Sequence, residues 1–325
     1  MPSLDSLSGL LARLKTAGTA LALVARRGWP LRLIRYHGGL GDHLLCTAVA
    51  REWRRRGVER IWMMSDHPEL FAGNADVAAV VPEEMRLLKW ALRTGVPVLD
   101  PTYARRVPGE DRQERPGGPV IARMCALAGI TGEVELRPYL HLTEAELGAG
   151  AVAERQIALI SSGRGARYPM ATKEWYPERF QAVVDGLRGE FNFVQVGGAG
   201  DPALRGVVDL RGKLSLRESA AMVARSLVFL GTVGFLMHVA RAVGTRSVIV
   251  YGGREMPEET GYAGNENLYT PLGCAPCWLI DGCPYDRECM KMITVERVVA
   301  ALRRQAARAG EPWAAQRVTL PEAAA

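Results

Sequence analysis

A carboxylate at the mouth of a helix, a lysine beside an aromatic segment, a histidine one turn into another helix and four clustered cysteines could do chemistry in this sequence. Asp42 stands in LRLIRYHGGLGDHLLCTAVA, residues 31–50. Leu31, Leu33 and Ile34 read as a buried strand, and Gly38, Gly39 and Gly41 as a tight turn that lets a ligand come close to the backbone. A carboxylate at Asp42 either caps free backbone N–H groups or projects from the C-terminal edge of a parallel sheet, where α/β folds bind ligands. In the second position it can act as a base. The glycine spacing is not the dinucleotide fingerprint G-x-G-x-x-G, so the turn by itself names no ligand.

A second glycine turn, in GTVGFLMHVARAVG (residues 231–244), opens a helix that carries His238 one turn in. Free N–H groups and the helix dipole make such a terminus a phosphate site. Taken alone, a histidine such as His238 is more often a satisfied structural residue than a ligand. Cys274, Cys277, Cys283 and Cys289 follow C-x2-C-x5-C-x5-C, and four thiolates so spaced can close a tetrahedral site for structural zinc or iron. Reduced thiols in a glycine- and proline-rich loop are the plainer alternative. Cys46 and Cys125 fall in apolar helical patterns and read as core thiols.

The elements that must position these groups alternate along the chain. Strand (Leu31–Ile34), helix (Leu44–Arg56) and strand (Arg60–Met64) predict a parallel sheet, with Val77–Val81 and Val96–Leu99 as further strands and Val120–Ala128 as a helix. Val107–Pro119, rich in Pro and Gly, reads as a mobile surface loop. Leu136–Gly150 reads as a linker. Beyond it the alternation restarts at Ile157–Ile160, and continues with a helix at Pro177–Leu187, a strand at Phe191–Val196, a helix at Leu216–Arg225, a strand at Leu227–Leu230, a helix at Leu236–Val243 and a strand at Ser247–Tyr251. Two doubly wound halves with a ligand cleft between their sheet edges are therefore expected.

Composition agrees with this plan. The 325 residues, 48% hydrophobic, suffice for two ordinary cores. A net charge of +6 suits an anionic partner without choosing which. No apolar run approaches the roughly 18 residues that span a bilayer, and no signal peptide is visible, so a cytoplasmic location is expected. Six cysteines are then thiols or metal ligands rather than disulfides. Residues 3–27 place Leu7, Leu10, Leu11 and Leu14 on one helical face, with basic residues elsewhere. Such a helix suits either peripheral contact with an anionic membrane or packing on the protein itself.

GGLGDHLL, KEWYPERF (Lys173–Phe180), GFLMHVA and the cysteine-rich tail in one chain resemble glycosyltransferase family 9, over about Leu31 to Ala301. The resemblance implies an α/β fold of the GT-B type, two Rossmann-like domains facing across a cleft. Residues 1–150 would form the acceptor-binding domain. Residues 151–304 would form the nucleotide-sugar-binding domain, with a cysteine-rich loop at 271–290. The segment 305–325 would pack back on the first domain.

It further implies an inverting transfer of a sugar, usually heptose from an ADP-linked donor, to a hydroxyl on a saccharide, lipid-linked glycan or protein. Neither a catalytic metal nor a nucleic-acid partner is expected. Asp42 matches the family's catalytic aspartate, Lys173 the lysine that meets the donor diphosphate, and His238 the family histidine. Ser161 and Ser162 lie near the matching hydroxyls, Asp201 at the ribose acid and Leu214 at the base. Val233, Gly234 and Phe235 stand where the family commonly carries an acidic side chain for sugar hydroxyls. Gly39, Gly41, His37 and His43 flank Asp42 on the acceptor side. Some relatives carry a four-cysteine iron finger in the corresponding tail.

The chemistry can be stated from the residues. A sugar hydroxyl is a poor nucleophile near neutral pH, so Asp42 would take its proton as the new bond forms. Lys173 and the N–H groups at Gly234 and Phe235 would stabilise the departing diphosphate. Two alternatives stand beside this: a catalytically silent nucleotide-sugar-binding protein, suggested by Val233, and a sugar-nucleotide epimerase, which would need no acceptor.

Overall fold

The structure, a computed structural model, describes residue 18 and residues 20–322. Of the stretch 3–27, residues 20–27 are helical and most of the rest lies outside the described residues. Among the described residues, no helix is long and apolar enough to cross a membrane.

The first half is a four-stranded parallel sheet, order β3-β2-β1-β4, built from β1 (Arg32–Arg35), β2 (Ile61–Met64), β3 (Ala79–Val81) and β4 (Val98–Leu99). Helix α1 (Leu40–Arg55) crosses from β1 to β2, and α2 (Met85–Arg93) from β3 to β4. Then come α3 (Val120–Leu127) and β5 (Gly132–Glu135). β2 is buried along its length, and a strand covered on both faces reads as a continuous apolar run.

The segment expected as a linker contains α4 (Glu144–Ala149). Thr143 accepts from the Glu146 N–H, and the Glu146 carboxylate accepts from the Thr143 N–H at 2.8 Å.

The second half is a six-stranded parallel sheet, order β11-β10-β9-β6-β7-β8. Its strands are β6 (Gln156–Leu159), β7 (Asn192–Gln195), β8 (Val208–Asp209), β9 (Val228–Thr232), β10 (Ser247–Gly252) and β11 (Glu266–Tyr269). The helices are α5 (Pro177–Leu187), α6 (Leu216–Ala224), α7 (Phe235–Val243), the short α8 (Pro257–Thr260) and α9 (Glu288–Lys291), and α10 (Val295–Ala307). After α10 the chain returns to the first half, where β12 (Arg317–Leu320) pairs antiparallel with β5.

One apolar cluster runs through both halves. Leu44, Leu45 and Ala48 of α1 belong to the same buried set as Leu236, Met237 and Ala240 of α7, and the two helices pack together. Each fully buried Leu or Met contributes about 1.5–3 kcal/mol, so the facing surfaces form a core that keeps the two sheet edges opposed.

The stretch 107–119 is not the mobile surface loop expected from its composition. The Gln113 N–H donates to the Trp278 carbonyl at 3.0 Å, and the Ile280 N–H donates to the Asp111 carbonyl at 3.0 Å. The Asp111 carboxylate accepts from the N–H groups of Asp281 (3.0 Å) and Gly282 (2.6 Å), and Arg115 pairs with Glu259 at 2.8 Å. Backbone groups need partners, and here they find them in the other half, so the loop is a clasp.

Candidate active site

Between the sheet edges lies a cleft of about 1280 Å³, lined by both halves. On the side of the first half, β1 ends at Arg35 and the chain turns through Gly38 into α1, with Gly39 as N-cap. Asp42, at the third helical position and half-buried, accepts from the Gly39 N–H through Oδ2 at 2.9 Å. Its Oδ1 accepts from the Tyr103 hydroxyl at 2.7 Å. Both of the roles open to Asp42 are thus combined: it caps the helix and lines the cleft. Each carboxylate oxygen keeps acceptor capacity, since two oxygens offer about four sites. Burial raises the Asp42 carboxyl above its ordinary value, outweighing the bonds from Tyr103 and Gly39. Burial also raises the Tyr103 phenol far above its usual range, so Tyr103 stays a donor.

Facing Asp42 is the start of α7. Gly234 is its N-cap, with extended backbone, and Val233, Gly234, Phe235 and His238 all line the cleft. His238 Nδ1 lies 2.7 Å from the Tyr262 hydroxyl. Burial, then the Lys173 charge, lowers the imidazole to about 4, so His238 is neutral at pH 7. When Tyr262 donates to Nδ1, the ring proton sits on Nε2.

Lys173 ends a short 3-10 turn (Ala171–Lys173) and pairs with Glu255 at 2.6 Å. Burial lowers the Lys173 ammonium from its ordinary value against the pull of Glu255. Burial likewise opposes the Glu255 charge, but Lys173 and Arg254 outweigh it and hold that carboxyl at about 2.

At the nucleotide end of the cleft expected from the sequence, Asp201 accepts from the Gly198 N–H at 2.8 Å, while its buried Oδ1 has no hydrogen-bond partner among the described residues. Leu214 lines the same region. Ser162 also lines the cleft, and its hydroxyl donates to Glu174 at 2.7 Å.

Ser161 is a correction: it is buried and is not among the cleft-lining residues. Its hydroxyl donates to the Pro202 carbonyl (2.9 Å), which uses its single donor, and accepts from Gln195 Nε2 (2.9 Å). On the other side, Gly39, Gly41, His37 and His43 line the cleft. His37 is exposed and pairs with Glu83 at 3.0 Å, whereas His43 is buried 2.8 Å from the Ser65 hydroxyl.

Sequence reasoning passed over Tyr103, Glu174 and Glu255. Glu255 had a signal, because it follows β10 at the C-terminal edge of a parallel sheet. Tyr103 had none.

The four cysteines of the tail are free thiols, with Cys274 exposed and Cys277, Cys283 and Cys289 half-buried. The Arg287 N–H donates to Cys283 Sγ at 3.3 Å. Among the described residues no group of three or more His, Cys, Asp or Glu is placed to hold a metal ion.

Two facing parallel-sheet halves with the site between them define the GT-B class. The model of glycosyltransferase family 9 (heptosyltransferase) matches residues 115–279, and the chain belongs to that family. Among solved structures it is similar to the ADP-heptose lipopolysaccharide heptosyltransferase II of E. coli, at 17% identity and TM-score 0.62, covering 85% of this chain and 98% of that one. It is similar to a family 9 glycosyltransferase of Veillonella parvula at 15% identity and TM-score 0.63, covering 85% and 97%. The iron-containing dodecameric glycosyltransferase TibC of enterotoxigenic E. coli matches at 18% identity and TM-score 0.66, covering 85% and 76%. No sequence among curated proteins matches the chain.

Proposed function

We propose that this glycosyltransferase moves a heptose from an ADP-linked donor to a hydroxyl acceptor in one inverting displacement, with Asp42 as general base and no catalytic metal. The first half would hold the acceptor and the second the donor. The observation that carries the reading is the placement of Asp42: a carboxylate with spare acceptor sites and a raised proton affinity, across the cleft from the α7 N-terminus. A general base works best when its proton affinity approaches the working pH.

In this reaction the acceptor oxygen bonds to the anomeric carbon as that carbon's bond to the phosphate oxygen breaks. The acceptor proton passes to Asp42, and the bonding pair leaves with the nucleoside diphosphate. Lys173, the free N–H groups at the start of α7 and neutral His238 are the donors available to that growing charge. The Asp201 carboxylate at the cleft wall suits a ribose hydroxyl, and Leu214 an apolar contact with the base.

For the cysteine loop, we propose that Cys274, Cys277, Cys283 and Cys289 close on a structural iron or zinc. The support is their spacing and the N–H donated to the Cys283 sulfur, a bond that suits a thiolate. Metal analysis of protein purified without chelator tests this, and fewer than one equivalent in four in fully folded protein, an order-of-magnitude threshold of about 0.25, rejects it.

The deciding experiment combines a thermal-shift panel of nucleoside diphosphates and their sugars with the Asp42→Ala variant. ADP-sugar preference is expected, with transfer falling by about a hundred- to ten-thousand-fold while ADP affinity stays. Nucleotide binding without transfer in the wild type would establish a silent binder. A changed sugar nucleotide formed without acceptor would establish an epimerase.

A further inference from the structure

Arg254 is 1% exposed and lines no part of the cleft. Its guanidinium nonetheless joins three segments. Nη1 donates to the Glu255 carboxylate, Nε donates to the Leu279 carbonyl at 2.7 Å, and Nη2 donates to Gln113 Oε1 at 2.6 Å. The face of the group lies over Trp278, 5.0 Å from the ring centroid. Gln113 belongs to the clasp of the first half, 141 residues away.

We propose that Arg254 is a positioning residue that ties closure of the two halves to the alignment of Lys173, with Gln113 as the contact through which the first half takes part. The proposal rests on Lys173 being the diphosphate ligand. A guanidinium is a rigid planar fork, so moving one partner rotates the donors offered to the others. Glu255, 4% exposed on its side chain, is the next link and holds the Lys173 ammonium at 2.6 Å. An ammonium has three donors; one goes to Glu255, which leaves two for an anion and fixes where they point.

The backbone beside Lys173 is referred to the same point. Thr172 Oγ1 donates to the Leu279 carbonyl at 2.6 Å, the carbonyl that Arg254 Nε also uses. Head and stem of Lys173 are thus both set by the 278–281 segment, to which the clasp is paired through the Gln113 N–H and the Asp111 carbonyl. An open arrangement, with the clasp away, would break the charge-assisted bond from Arg254 Nη2 to Gln113 and leave Lys173 without its reference. That cost makes the closed arrangement and the aligned lysine one event.

The experiment uses the full chain with Gln113→Ala, Gln113→Glu and Arg254→Met, measuring ADP affinity by calorimetry, donor and acceptor KM with kcat, and melting temperature. Gln113 is only half-buried and its backbone pairing survives substitution, so its variants fold. Gln113→Ala is expected to weaken ADP and raise donor KM about tenfold, in line with the cost of a small misplacement, while acceptor KM stays. Gln113→Glu, which still offers Arg254 an acceptor, is expected to restore both. Arg254→Met should weaken ADP binding at least as much per folded molecule. Unchanged ADP affinity and donor KM in Gln113→Ala, or an Arg254→Met effect confined to melting temperature, would overturn the coupling. A wild type that binds ADP keeps those outcomes separate from failure of the functional reading, and one that binds no nucleoside diphosphate overturns both.

Discussion

Gly41 of the first half lies directly against His238 of the second: a Cβ at residue 41 would come within 3.1 Å of the imidazole Cδ2 and 3.5 Å of the Phe235 Cα. The helix that presents Asp42 and the helix whose N-terminus is the proposed phosphate site therefore pack too closely here for a methyl group to enter without a shift. Gly41→Ala gains about 1 kcal/mol of helix propensity but forces His238 or α7 to move by tenths of an ångström. The expected signature is an unchanged or slightly higher melting temperature with transfer reduced about tenfold. Steady-state kinetics beside a thermal melt reads both.

The raised proton affinity of Asp42 has consequences of opposite sign for rate and stability. Only the carboxylate can accept a proton, so with Asp42 as the proposed base kcat/KM is expected to rise with pH through the raised value. The folded carboxyl binds its proton more tightly than the unfolded one. Its stabilising contribution is therefore complete below 3.8 and is lost as pH rises through the folded value. Asp42→Asn is accordingly expected to melt higher than the wild type at pH 7, with the gap closing towards pH 4, while turnover is lost.

Tyr103→Phe removes the hydrogen bond that opposes burial at Asp42. A bond to a charged group is worth about 1.5–3 kcal/mol, and one pKa unit is about 1.4 kcal/mol. The acid limb of the rate profile should move up by about one pH unit, with little change well above it. A limb that stays in place would separate Tyr103 from the proposed base.

The far end of α7 is held by the returning chain. Trp313 Nε1 donates to the carbonyl of Gly244, the C-cap of α7, at 3.0 Å, and Arg241 lies 4.5 Å from the indole ring. Removing residues 313–325 also exposes the edge of β5. A loss of about 3 kcal/mol is expected, read as a lower urea midpoint. ADP affinity should fall with it, because α7, the proposed donor helix, loses its anchor.

Much of this arrangement was legible beforehand. The alternation of strands and helices follows from apolar periodicity, and Pro177–Leu187 was readable to the residue because Pro177 opens it. Asp42 and the α7 turn stood out because glycine and charge mark sheet edges. The capping box at Thr143 and Glu146 was present in the sequence of the supposed linker, and it signals α4. The short strands β8, β11 and β12 carried no such mark, since two to four residues hold too little periodicity and their pairing is set by a distant partner.

Local order and chemistry were thus properties of neighbouring residues: where a helix starts, where a turn exposes a carboxylate, which thiols share a loop. Tertiary structure alone decided which groups meet. It turned Ser161 away from the cleft, brought Tyr103 to Asp42 and Glu255 to Lys173, and converted a proline-marked loop into a clasp. Each of those outcomes depends on polar groups finding partners 34 to 171 residues away, a demand that no window of sequence contains.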